Sequence, residues 1–241
     1  MISLSSFLLL TLLSSIFGTG TGFGTSTIMV PALSLFLPFS QALLFAGIVH
    51  WFGDIWKMIF FKKGLDFKLI LLFGIPGVII SFFAGYLPIV IPESLLKRSL
   101  GLFLSLYVAF IFLRPNWKAK ASSRNAITGG VLSGFFAGLF GAGGAVRSAF
   151  LAGFDLPKSV FIFTSGAIGL LIDTGRVSQY LLSGVRLNSQ LSITLLLCLP
   201  VSLLGAYLAK ILVNYVPQKS FRALVSIGLL LVGIYYVLLP S

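Results

Sequence analysis

Gly18-Thr-Gly-Thr-Gly-Phe-Gly24 and Gly141-Ala-Gly-Gly144 are the stretches on which the fold of this chain turns. Each interrupts an apolar run: Leu4 to Phe17 precedes the first and Ser26 to Leu37 follows it, while 126–140 and 145–156 flank the second. Glycine costs a helix interior about 1 kcal/mol relative to alanine, so clusters of it mark breaks. If the flanking runs lie in a bilayer, the broken backbone cannot face lipid. It needs surrounding protein or a water-filled cavity to satisfy its N–H and C=O groups.

The composition outside the breaks argues for a bilayer. Of 241 residues, 58% are hydrophobic and 9% charged, against about 25% charged in an ordinary soluble domain. No Asp, Glu, Lys or Arg occurs in 1–53, 69–92, 125–146, 187–209 or 223–241. Runs of about 20 apolar residues read as transmembrane helices, and the short alternating segments of an outer-membrane barrel are absent. The expected class is an all-α polytopic membrane protein. The net charge of +12 sits at the ends of apolar runs, which marks topology signals and headgroup contacts rather than a nucleic-acid surface. Cys198 is the single cysteine, so an intrachain disulfide, paired zinc thiolates and a CxxC redox motif are excluded. The apolar N-terminal residues lack the basic n-region of a signal peptide and are read as part of the fold.

The two breaks belong to a longer internal repetition. Ile16-Phe17-Gly18 recurs as Leu139-Phe140-Gly141, Leu37-Pro38 as Leu156-Pro157, Asp54-x-x-Lys57 as Asp173-x-x-Arg176, Gly64 as Gly184, Gly85 as Gly205 and Pro92 as Pro217. The order is kept, with offsets between 119 and 125 residues. Two repeats are therefore expected, 1–113 and 126–241, joined by a basic cytoplasmic linker at 114–125. The first holds a broken unit at 3–37 and helices at 40–61, 67–88 and 95–113; the second holds a broken unit at 126–156 and helices at 159–181, 189–212 and 220–239.

Arms of about 12 to 15 residues reach only about 18 to 22 Å as helix, which favours re-entrant hairpins over single crossings. Hairpins make the repeats inverted. Lys and Arg then divide twelve to four in favour of the linker side, with Lys57, Lys62, Lys63, Lys158, Lys210, Lys219 and Arg222 among the twelve. Parallel repeats would give ten to six, so the positive-inside rule favours inversion.

Paired breaks in two membrane repeats point to a transport site at the repeat interface. Uncapped N–H groups where a helix starts beyond a glycine loop favour an anion. The candidate substrate-binding residues are Gly20, Gly22, Gly24, Thr25 and Ser26 in the first break, and Gly143, Gly144, Arg147 and Ser148 in the second. Arg147 is the only basic residue between Arg124 and Lys158. A guanidinium at membrane depth is retained for a partner, and it suits an oxyanion. Two readings stay open: contact with substrate, or a permanent pair with Asp173 or Asp155.

Asp54 with Lys57, and Asp173 with Arg176, stand three residues apart and read as intrahelical ion pairs near the membrane edge. The same residues, with His50 one turn before Asp54, form the candidate group for coupling to a proton or sodium. Gly169 aligns where a second histidine would stand. Trp51, Trp56 and Trp117 read as interface anchors. With one His, one Cys and five acidic residues there is no HExxH motif or paired carboxylate for catalysis. Nor is a nucleotide cofactor expected, since Phe23 fills the last glycine place of a GxGxxG frame that starts at Gly18.

The glycine break running through Val30-Pro31-Ala-Leu33, its counterpart at Gly141–Gly144, the stretch Ala145-Val-Arg-Ser-Ala-Phe-Leu151 through Leu156-Pro157, and Asp173-Thr-Gly-Arg176 with Tyr180 resemble the sulfite exporter TauE/SafE family of membrane transporters. The resemblance covers nearly the whole chain. It implies movement of sulfite, a sulfonate or a related sulfur-containing anion across the plasma membrane. Combined with the residues, it gives a secondary transporter of a small anion working by alternating access, in lipid, without nucleic acid and compatible with a homodimer. An anion channel of the same architecture and a non-transporting membrane scaffold are the alternatives.

Overall fold

The computed structural model describes residues 3–62, 66–115, 117–212, 215 and 218–239, with the side chains of 218–224 excepted. Lys63, Gly64 and Pro217, which enter the repeat and charge readings, lie outside the described residues, as do the side chains of Lys219 and Arg222. Among the described residues 83% are helical and none lies in a strand. In chain order the helices are α1 (Leu4–Thr21), α2 (Thr25–Leu33), α3 (Phe39–Phe60), α4 (Phe67–Ala84), α5 (Leu87–Val90), α6 (Glu93–Leu113), α7 (Ser123–Phe140), α8 (Gly143–Leu151), α9 (Lys158–Leu182), α10 (Ser189–Leu212) and α11 (Gln218–Leu238), with a 3₁₀ turn at Ala152–Phe154 after α8. Among the described residues six spans are long and apolar enough to cross a membrane: α1, α3, α4 continued through α5, α6, α9 and α10.

Local chemistry places the helix ends. Ser3 and Ser122 cap α1 and α7 by accepting from Ser6 N and Asn125 N. Pro38, Pro92 and Pro157 stand just before α3, α6 and α9, where a fixed φ and a missing N–H cost nothing. Both long arms end on a left-handed glycine, Gly22 at φ 77° and Gly141 at φ 69°.

Three details differ from the sequence reading. α1 runs four residues past Phe17, so the first break shrinks to Gly22–Gly24, because burial against protein keeps the glycine-rich turn helical. The arms are therefore unequal, 18 and 9 residues in both halves. At about 1.5 Å per residue the long arm reaches about 27 Å. The segment expected as one helix at 67–88 breaks after Ala84 and resumes as α5.

Each long arm packs on a helix of the other half: α1 runs along α10 and α7 along α4. On α7, Gly130, Gly134 and Gly138 form a stripe against α4, where an added Cβ would come within 2.2, 2.3 and 2.6 Å of the carbonyl oxygens of Phe73, Gly77 and Ser81. Such backbone-to-backbone contact is how helices associate when lipid removes the hydrophobic drive between them. α3 packs on α9 and α6 on α11. Large apolar side chains point outward, Phe67, Phe83, Leu106, Leu196 and Leu231 among them, and the polar residues gather inside. This inverts the pattern of a soluble domain, as lipid requires.

Candidate functional site

The broken units meet at their short arms. Ser26 on α2 donates to the Gly141 carbonyl at 2.7 Å, and Ser148 on α8 donates to the Gly22 carbonyl. Each arm thus ties itself to the break of the other unit. At the crossing, a Cβ on Gly144 would stand 1.9 Å from the Phe23 carbonyl oxygen. Gly143 packs instead on its own long arm, where Ser133 Oγ donates to its carbonyl at 2.9 Å. Both glycines therefore serve close packing, and the space over Gly144 is filled by the other break. Each break also reaches the start of the other half's first long helix: Gly22 faces Phe161 of α9, and Gly141 faces Leu43 of α3.

α3 and α9 bring the charged residues against this crossing. Lys57 Nζ lies 2.6 Å from Asp54 Oδ1, and Arg176 Nε lies 2.7 Å from Asp173 Oδ1. Both intrahelical pairs form, and all four side chains are buried within the protein. His50 joins the halves. Its Nδ1 stands 2.7 Å from Asp173 Oδ2 and 3.1 Å from Ser26 Oγ, while Nε2 faces Asp54 Oδ1 at 3.5 Å. The ring sits directly over Gly24, where a Cβ would come 2.5 Å from Nε2. Although His50, Asp54 and Asp173 gather their ligand atoms within 4.8 Å, three cationic side chains crowd the same space, which opposes a metal dication there.

Arg147 is buried, and its Nε donates to Ser165 Oγ of α9 at 3.0 Å. It pairs with neither of the carboxylates proposed for it: Asp173 is held by Arg176 and His50, and Asp155 by Lys118. Among the described residues no carboxylate lies within 4.0 Å of the guanidinium, and Nη2 has no hydrogen-bond partner. The interior group therefore sets three basic side chains, Lys57, Arg147 and Arg176, against two acidic ones, Asp54 and Asp173. By formal count the basic side chains outnumber the acidic ones by one, before His50. The helix starts nearby at Thr25 and Gly143 carry no side-chain caps, and Thr25 Oγ1 is buried without a partner.

Gly20 lies apart from this centre. With Gly22 it lines a cavity of about 360 Å³ whose walls include Lys118 of the linker, Asp155, Lys158 and Phe161. Exposed Lys118 and Asp155 form an ion pair at this cavity.

Comparison with protein families matches residues 7–236 to the family described as Sulfite exporter TauE/SafE. The chain belongs to the sulfite exporter TauE/SafE family. A search of curated proteins finds no match. The family assignment and the six apolar spans make the chain a multi-pass membrane protein of an anion-transporter family, not an enzyme.

Sequence reasoning missed Ser165, the side-chain partner of Arg147, and the part played by Gly169. A Cβ at Gly169 would stand 2.0 Å from Asp54 Oδ2 and 2.8 and 2.9 Å from the Arg147 Nη atoms. The missing second histidine is thus the space that Asp54 and Arg147 share. Of the expected interface tryptophans, Trp51 donates to the exposed Thr174 Oγ1 at 2.9 Å and Trp56 to Ser202 Oγ at 3.1 Å. Trp117 is 42% exposed and packs edge-on to Phe110 and Phe150.

Proposed function

We propose that this TauE/SafE chain is a secondary transporter that moves a small sulfur-containing oxyanion, sulfite or a sulfonate, across the plasma membrane by alternating access. The observation that carries the reading is the buried Arg147 guanidinium, unpaired with any carboxylate where the two glycine-broken units cross. A buried cation lacking a counter-ion is costly, and a transported anion supplies the missing charge. The Thr25 hydroxyl, which has no partner, and the uncapped starts of α2 and α8 add donors, while Ser26 and Ser148 hold the two breaks in place.

The two halves act as inverted repeats with re-entrant broken units. Supporting this are the reciprocal hydrogen bonds of Ser26 and Ser148, and the way each break reaches the start of the other half's first long helix. The cavity beside Lys118 and Lys158 is the linker-side approach to the anion, and the His50, Asp54 and Asp173 group is where a proton or sodium gradient would couple. The test is thermal unfolding of detergent-purified protein with sulfite, sulfate, thiosulfate, sulfoacetate or chloride, comparing wild type with Arg147→Gln. A sulfur oxyanion should stabilise wild type and leave a folded Arg147→Gln protein unshifted. An equal shift in both proteins removes Arg147 from the site. Uphill, saturable flux in proteoliposomes distinguishes a carrier from a channel, and anion binding without flux would mark a scaffold.

A further inference from the structure

Asp54 and Arg147 form an ion pair left unmade. Asp54 Oδ1 is held by Lys57, while Oδ2 is buried and has no hydrogen-bond partner. Arg147 Nε is held by Ser165, while Nη2 is likewise buried without a partner. Both free ends lie against the bare Cα of Gly169, yet they are not within ion-pair distance. His50 and Lys57 face Asp54 from α3, and Asp173 and Arg176 complete the group from α9, where Asp173 Oδ1 is held by Arg176 and Oδ2 stands 2.7 Å from His50 Nδ1, away from the gap at Gly169.

Two buried groups of opposite charge, each with one unsatisfied end and no backbone between them, need only a side-chain rotation to join. Resting on Arg147 as the anion's ligand, we infer that Asp54 is a tethered counter-anion: its Oδ2 takes Arg147 when the site is empty and yields it when substrate arrives. Asp54 is in this sense a positioning residue that sets affinity by competition. A carboxylate at contact range of a bound oxyanion also repels it, which speeds release. Gly169 is what permits the exchange, because any side chain there would occupy the gap.

The inference predicts that removing the charge of Asp54 while keeping its shape tightens anion binding. Asp54→Asn should lower the sulfite Kd by about tenfold and enlarge the sulfite-induced thermal shift. In proteoliposomes the apparent KM and the maximal rate should fall together, since the bound anion leaves slowly; a merely structural role would lower the rate alone. Should Asp54→Asn prove too unstable to purify, Asp54→Ala with sulfite present throughout serves instead, and sulfite should stabilise it more than it stabilises wild type. A shift in the variant equal to or smaller than wild type, or none in either, overturns the inference. When wild type shifts, Arg147→Gln does not and Asp54→Asn is not enhanced, the anion site stands and only the role of Asp54 fails. When Arg147→Gln keeps the wild-type shift, the proposed site itself fails.

Discussion

The short arms α2 and α8 are nine residues each, follow a glycine break and reach across to the other's break through a serine, Ser26 and Ser148. Their chemistry is unequal. Immediately before Ser26 stands Thr25, whose hydroxyl has no partner, and immediately before Ser148 stands Arg147. Against the first arm lies His50; at the aligned place against the second lies Gly169, leaving room for the guanidinium and Asp54. The scaffold is close to symmetric and the charge is not. The broken units therefore supply the frame jointly, while Arg147 comes from the second half and Asp54 from the first.

Mutations at the crossing test whether the frame is shared. Gly144→Ala should have the largest effect, because its Cβ would meet a backbone carbonyl that no rotamer can move. A loss of about 3 kcal/mol or more, seen as aggregation on size-exclusion chromatography or a collapse of thermal stability, is expected. Wild-type stability in that variant would mean that the arms can separate without harm. Gly169→Ala confronts side-chain ends and should cost about 1–3 kcal/mol. Its distinctive sign is lost sulfite stabilisation in a protein that still folds.

Ser26→Ala and Ser148→Ala each remove one tie between the units, at about 1 kcal/mol per buried hydrogen bond. Ser26→Ala should be the worse of the two, because Ser26 also contacts His50. Melting curves of both variants measure the difference, and the reverse order would contradict the placement of His50. Thr25→Val should change the melting temperature least, by the equivalent of less than about 0.5 kcal/mol, since the hydroxyl it removes is already unsatisfied. If that variant abolishes the sulfite shift, the first arm contributes a ligand and the asymmetry is smaller than the structure indicates.

Features set by neighbours along the chain could be read in advance. Glycine clusters locate the breaks, and a spacing of three residues puts Asp54 with Lys57 and Asp173 with Arg176 on common helix faces. What escaped depends on how helices cross. Nothing local announces that Ser26 meets Gly141, 115 residues away, or that Ser165 receives Arg147. Nor does anything local announce that another helix covers Lys57, as α9 does at Gly166. Glycine's helix-breaking tendency also overstated the first break, because close packing holds Gly18 and Gly20 in α1.

The glycine stripe of α7 has a mechanical corollary. Because α7 lies on α4 at backbone contact, and α1 lies along α10, each long arm is fastened to the opposite half more closely than the chain order suggests. The rigid bodies of any large motion are then composites that cut across the two halves. Pulling the halves apart at the linker would strip both arms from their supports. A motion that leaves those contacts intact must instead shear where α2 meets α8 and α3 meets α9, the seams that hold the buried charges.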